Sequence, residues 1–240
     1  MKKIILAAVI ITLAVIRFRT ILISEITSVF RSGYKQKNNQ IFCYDSVPEY
    51  NGDIYIEINN DVPFFNDECK PEYKMIYSEL DELGRSGAAE LVISRRELPN
   101  ETRSDIGYIR PSGWNQNKYP GIINSDPAFI YNRSHILMWY LCGNQSNRPE
   151  LLLTGTRDFN IEGMLPNEKL LLDYIMNNDG YIRYRVTPVY ENDNLLASGV
   201  LIEAESVEDN GKNFHICRWV YNVQDGIDID YKTGRNTVLE

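Results

Sequence analysis

In the stretch from Tyr131 to Tyr140, YNRSHILMWY, Arg133 stands two residues before His135, one of only two histidines in the chain, and an apolar, aromatic run follows. Residues two apart on a strand share a face, so this spacing can aim a fixed cation and a titratable imidazole into one cleft. Phosphodiester hydrolysis uses that combination. A neutral imidazole takes a proton from the attacking water, while positive charge balances the phosphorane oxygens. Such reactions commonly add a divalent cation held by oxygen ligands. Asn160 lies 25 residues after His135, and Glu168 eight residues further on. Eight residues make a little over two helical turns, so a helix starting at Asn160 sets both side chains roughly on one face.

Each of these residues also has a plainer use. His135 could be a core histidine bonded to a strand, Asn160 a helix cap, and Glu168 a carboxylate favoured by the positive end of a helix. Trp114, in the SGWNQ loop, fits a loop anchor as well as a base-stacking platform. Arg183 and Arg185 fit a solvated strand face as well as a nucleic-acid track.

These residues need elements to position them. The alternation of Ile54, Ile56 and Ile58 predicts a strand over 53–59, and AAELVIS another over 88–94. A helix is expected near Tyr77 to Leu83, ended by Gly84. From Glu97 to Pro127 the chain is dense in Pro, Gly, Asn and Ser, and so long an excursion inside a domain is more often functional than idle. PNEKLLLDYIMNN carries Leu172, Ile175 and Met176, with Leu165 before it, at helical spacing, and 177–180 supply a stop. YIRYRVTPVY then alternates, with Ile182, Tyr184 and Val186 on one side and the two arginines on the other. LLASGVLIEAES and NFHICRWVYNV follow, joined by the turn-forming EDNG at 208–211. The expected class is α+β, a mainly antiparallel central sheet interrupted by one prominent helix.

A chain of 240 residues, 43% hydrophobic and 24% charged, can bury a full core. Its net charge of −8 excludes binding nucleic acid by overall attraction. The charge is uneven, however. Arg85, Arg95, Arg96, Arg103, Arg110, Lys118, Arg133 and Arg157 occupy the middle, while acidic residues crowd the tail from Glu191, so a basic site can sit on an acidic body. Lys2 and Lys3 precede the apolar run Ile4 to Ile16, as in an export signal, with no clear cleavage site after it. Residues 1–23 therefore read as a signal peptide or an uncleaved signal anchor, 24–50 as a linker, and 51–240 as the working domain outside the membrane. Four widely spaced cysteines form no CxxC pair and give no zinc knuckle.

In order along the chain, YNRSH, the Thr154-Gly155-Thr156-Arg157 segment, Asn160, Gly163-Met164, Glu168 and the RYRVTPVY strand resemble the DNA/RNA non-specific endonucleases of the ββα-metal superfamily. The likeness is to their bacterial DNA-entry and streptodornase-like branch. LDELGRSGAA and IGYIRPSGWNQNKY also resemble that branch, so the likeness runs from about Asp53 to Gly234.

The resemblance implies an exported enzyme whose active site lies in a ββα-metal motif. In it, His135 is the general base, Asn160 the direct protein ligand of Mg²⁺ (with Mn²⁺ as a substitute), and Glu168 orients the metal-bound waters. Arg133 sits near the phosphate, and Arg157 belongs to the same surface. Asn132, Lys118, Trp114 and Arg185 complete the expected contacts with DNA, and with RNA as a second substrate. No organic cofactor is implied, and a membrane is a partner only through an uncleaved N-terminus. Asn132 and Ser134 stand where the best-known members carry Asp and Gly. A second active-site asparagine, expected just before the Leu-x-Thr-Gly-Thr-Arg segment, falls at Leu151, with Asn144 and Asn147 as substitutes. These departures keep a second class in view: a catalytically impaired relative that binds nucleic acid or a protein partner at the surface.

Overall fold

The structure, a computed structural model, describes residues 41–239. The expected signal and most of the expected linker, residues 1–40, lie outside the described residues. The strands are β1 (Tyr55–Glu57), β2 (Lys74–Tyr77), β3 (Ala89–Ile93), β4 (Tyr131–His135), β5 (Leu152–Thr156), β6 (Ile182–Val189), β7 (Gly199–Ser206), β8 (His215–Tyr221), β9 (Ile227–Asp230) and β10 (Arg235–Val238). The α-helices are α1 (Trp139–Cys142) and α2 (Leu165–Asn177). A six-stranded antiparallel sheet in the order β1-β8-β7-β6-β3-β2 forms the body, and β4-β5 and β9-β10 make two separate ribbons. This is the α+β architecture with a mainly antiparallel sheet that the sequence predicts. Among the described residues no helix is long and apolar enough to cross a membrane.

The sheet buries both faces. Ile182, Tyr184 and Val186 of β6, with Leu91 and Ile93 of β3, face the main core, which Leu171 and Ile175 of α2 and Phe159 complete. On the opposite face Leu201, Cys217 and Trp219 form a second cluster. Phe42 and Tyr44, from the end of the expected linker, pack against Trp219 at ring separations of 6.0 and 5.3 Å.

Two local expectations change. The segment expected to be helical near Tyr77 to Leu83 instead ends β2 and then turns. Pairing of β2 with β3 overrides the local helix preference. The Asp81 carboxylate holds the turn by accepting from the Leu83 and Arg85 backbone N–H groups, and Gly84 takes φ +73° there. On α2 the buried stripe is Asn167, Glu168, Leu171 and Ile175, while Leu165 and Leu172 are half-buried and Met176 is exposed.

Candidate active site

The β4-β5 ribbon carries the site. Tyr131 pairs with Thr156 and His135 with Leu152. Arg133 and His135 thus lie on one face of β4 and Asn132 and Ser134 on the other. The second face is tightly packed. A methyl group built on Gly155 would come within 2.3 Å of Ser134 Oγ and 2.5 Å of Phe159 Cδ1, so glycine at 155 is what leaves room for the Ser134 hydroxyl. Ser134 Oγ and Asn132 Nδ2 are buried without a hydrogen-bond partner.

Beyond β5 the chain enters a helix directly at Arg157, passes through a π-helical turn, Phe159–Met164, and continues as α2. Gly163 lets this turn approach β8, since a Cβ there would lie 2.3 Å from Val220 Cγ1. Within the turn the Leu165 N–H donates to the Asn160 carbonyl, an i to i+5 bond. In a regular α-helix, residues eight apart sit about 80° off one face. A π turn advances less per residue, so it brings Asn160 and Glu168 nearer to a common face than a uniform α-helix would. The half-buried Asn160 side chain makes no hydrogen bond with any described residue.

His135 ends β4 and is only 9% exposed. Its Nε2 lies 2.8 Å from Asn147 Oδ1, and Arg103 Nη2 approaches its Nδ1 at 3.4 Å. Burial, opposed by the Asn147 bond and reinforced by Arg103, lowers the imidazole pKa from 6.5 to about 4. The ring is therefore neutral at physiological pH. Arg103 also lies over the Trp139 ring, 5.6 Å from its centroid.

Glu168 approaches the same strand end from α2. Its carboxyl contacts the Tyr184 hydroxyl, which donates to the Ile136 carbonyl at 3.3 Å, one residue past His135. Burial pushes the Glu168 carboxyl up to about 8.

Arg133 is largely committed to a loop. Its Nε donates to the Ile109 carbonyl at 2.6 Å and its Nη2 to the Gly107 carbonyl at 2.7 Å, while Nη1 has no partner among the described residues. Its guanidinium stacks 4.3 Å from the Trp114 ring centroid, and Arg110 lies 6.0 Å from the same ring. Burial and then the Arg110 charge lower the Arg133 pKa.

The other expected residues scatter. Arg157, half-buried at the start of the helix, has no hydrogen bond or ion pair with a described residue. Lys118 sits over Phe129, 4.8 Å from its centroid. Arg185 is not at the site. It points to the far face of the sheet from Tyr184, where it is bonded to Glu203 at 2.7 Å and lies over Phe65. That face is lined with carboxylates, which claim both strand arginines, Arg183 being paired to Glu90 and Asp67. Arg103 and Trp139 join the site without having been singled out as its members, while Asn147, one of the two asparagines named as substitutes for the missing one, bonds to His135 and Asn144 bonds to Asn147. The long 97–127 excursion was the only signal for Arg103, and nothing in the sequence singled out Trp139.

A separate surface cavity of about 920 Å³ is lined by Asp53, Asp158, Glu162 and Asp225 among others. Its charge is wrong for a polyanion. Among the described residues no group of three or more His, Cys, Asp or Glu could hold a metal ion.

The family model described as DNA/RNA non-specific endonuclease matches residues 66–208, more than half of the chain. The chain belongs to that family. Among solved structures, NucA from Streptococcus agalactiae with magnesium bound shares 23% identity over 81% of this chain and 91% of its own, with a TM-score of 0.68. The metal-free form of NucA gives 21% identity, the same TM-score, and coverage of 88% and 96%. Sda1 nuclease with bound zinc gives 26% identity and a TM-score of 0.56 over 70% of this chain and 81% of its own. No curated protein matches the chain. These nucleases share this family member's fold, a large antiparallel sheet with few helices.

Proposed function

We propose that the chain is an exported, divalent-metal-dependent endonuclease that hydrolyses phosphodiester bonds of DNA, and of RNA as a second substrate, with little sequence preference. The observation that carries this reading is the buried, neutral His135 with the Arg103 guanidinium at its ring nitrogen, set on the β4-β5-helix unit of a nuclease-family chain. In this reading His135 takes the proton of the attacking water. The exposed Arg103 leaves the imidazole to balance charge on the phosphate, and the free Nη1 of Arg133 adds to it.

The residues fit a hard divalent cation. Asn160 offers an unengaged amide oxygen beside a helix that carries Glu168, and oxygen donors of this kind suit a hard cation. Asn160 would hold Mg²⁺, with Mn²⁺ as a substitute, and Glu168 would orient its waters. When bound, the ion supplies Lewis-acid stabilisation of the phosphoryl oxygens. The magnesium and zinc in the matched nuclease structures support a divalent ion here.

Arg133 serves mainly to fasten residues 107–109 beside Trp114, and that exposed loop, with Tyr108, Arg110 and Lys118, is the surface offered to the nucleic-acid backbone. Contacts of this kind position a substrate without reading bases. Export rests on the N-terminal sequence. Incubating the protein with supercoiled plasmid, linear DNA and RNA in Mg²⁺, Mn²⁺ or EDTA tests the proposal: cleavage of DNA that EDTA abolishes is expected, and a folded protein inert in every metal would overturn it.

A further inference from the structure

Most of the aromatic rings around the β4-β5 ribbon already carry a cation. Arg133 lies 4.3 Å from the Trp114 centroid, Arg103 5.6 Å from that of Trp139, and Lys118 4.8 Å from that of Phe129. Tyr108 and Tyr140 carry none. They are 74% and 59% exposed, and neither hydroxyl bonds to a described residue. One exposed aromatic signals little by itself; what sets these two apart is how firmly they are held. The turn under Tyr108 closes through the Ile109 N–H on the Ile106 carbonyl at 3.0 Å, and the Gly107 N–H donates to Asp105 Oδ1 at 2.8 Å. Arg133 clamps the carbonyls on both sides of Tyr108, those of Gly107 and Ile109, and Arg110 donates to the same two. Tyr140 stands on α1, which buries Leu141 and Cys142, and its ring meets that of Trp139 edge-on, with centroids 5.6 Å apart. The Trp139 indole N–H is tied to Asn144 Oδ1 at 3.2 Å.

Both rings are tied to the reacting centre. Tyr108 is held by Arg133, which shares a face of β4 with His135. Tyr140 is reached through Trp139 and Arg103, which lies against both Trp139 and the imidazole. Along β4, then, Tyr108 belongs to the Arg133 end and Tyr140 to the His135 end. A fixed, open ring beside a cation suits a nucleobase whose face is free, because the cation holds backbone while the ring stacks. In a closed duplex each base is covered by its neighbours, and such a ring finds no face to meet. We infer that Tyr108 and Tyr140 are stacking residues for unpaired bases on the two sides of the scissile phosphate, so that the chain takes single-stranded or locally opened nucleic acid in preference to closed duplex. Every base offers a π face, so these contacts add no sequence preference. The inference rests on the nuclease reading for the position of the phosphate, but the preference for open strands is a binding property separate from cleavage.

The test is fluorescence anisotropy of the full chain in EDTA with a labelled single-stranded DNA oligonucleotide and with the same sequence as a duplex. Wild type should bind the single strand more tightly. Tyr108→Ala and Tyr140→Ala should each weaken single-strand binding roughly 5- to 150-fold, the range for loss of one stacked base, and leave duplex binding unchanged. Tyr108→Phe and Tyr140→Phe keep the ring and should bind as wild type does, which separates stacking from a hydroxyl contact. Because both side chains are exposed, the alanine variants should unfold in urea like wild type. Equal affinity for the two DNA forms, alanine variants that bind the single strand as wild type does, or phenylalanine variants as weak as the alanine ones would overturn the stacking. Plasmid cleavage alongside any of those results would leave the nuclease reading standing without it. The expected binding differences in a protein that cuts nothing would instead overturn the nuclease reading and leave the stacking established.

Discussion

Two opposed pH dependences should cancel in the wild-type chain and emerge when either group is replaced. His135 falls from an ordinary pKa of 6.5 to about 4 on folding, chiefly through burial. Between those values the unfolded chain binds a proton that the folded chain does not, so this contribution to stability is present above 6.5 and lost as pH falls toward 4. Glu168 is raised by burial from 4.5 to about 8. Here the folded chain keeps a proton that the unfolded chain releases, so stability is present below 4.5 and lost as pH rises toward 8. With one pKa unit worth about 1.36 kcal/mol, acidification from pH 7 to pH 5 costs roughly 2 kcal/mol through His135 and returns roughly 2 kcal/mol through Glu168. Asp81 and Glu97, whose pKa values are lowered from 3.8 and 4.5, act at lower pH and leave this window alone. In urea unfolding with EDTA present, Glu168→Gln should lose roughly 2 kcal/mol between pH 7 and pH 5, and His135→Leu should gain a similar amount. If both variants track the wild-type curve, or their slopes have the opposite signs, the two groups are not buried in the protonation states argued above.

Further predictions concern packing and the placement of the arginines. Gly155→Ala should destabilise by about 1–3 kcal/mol through overpacking against Ser134 and Phe159, lowering Tm by several degrees in a thermal scan, and Ser134→Gly in the same chain should recover part of the loss. Arg133→Lys cannot reproduce the two-pronged bond to the Gly107 and Ile109 carbonyls. Faster hydrogen exchange over 105–114 and weaker DNA binding are therefore expected. Arg185→Ala should leave cleavage unchanged, since it lies on the far face of the sheet, yet cost about 1–3 kcal/mol in urea unfolding by leaving buried Glu203 with one partner fewer.

Much of this was legible from the sequence because it depended on local periodicity. Ile182, Tyr184 and Val186 alternate and do face the core, and EDNG does close the β7-β8 hairpin, with Asn210 and Gly211 at positive φ. What sits across from an alternating face was not legible. The two arginines of β6 look like a solvated stripe in sequence, but Glu90, Glu203 and Phe65 come from three distant segments. The π turn before α2 was hidden as well, since it is tied to the close approach of Gly163 to Val220. At the site, His135, Asn160 and Glu168 could be named because each lies on an element that the sequence pattern foretold, the ribbon strand and the helix beyond it. Arg103 and Asn147 do not. They arrive on irregular loops, and although Asn147 was one of two asparagines named as substitutes, no periodicity foretold that it and Arg103 meet at one imidazole.

In the proposed reaction both His135, as base, and Asn160, as metal ligand, are required for cleavage of nucleic acid. The decisive measurement is plasmid cleavage in Mg²⁺ with wild type, His135→Ala and Asn160→Ala, each first shown to unfold with a single sharp transition. Wild type should cut, and each variant should lose activity by at least about 100-fold, through loss of the general base in one and of the metal ligand in the other. Wild-type rates retained by either folded variant would contradict those roles.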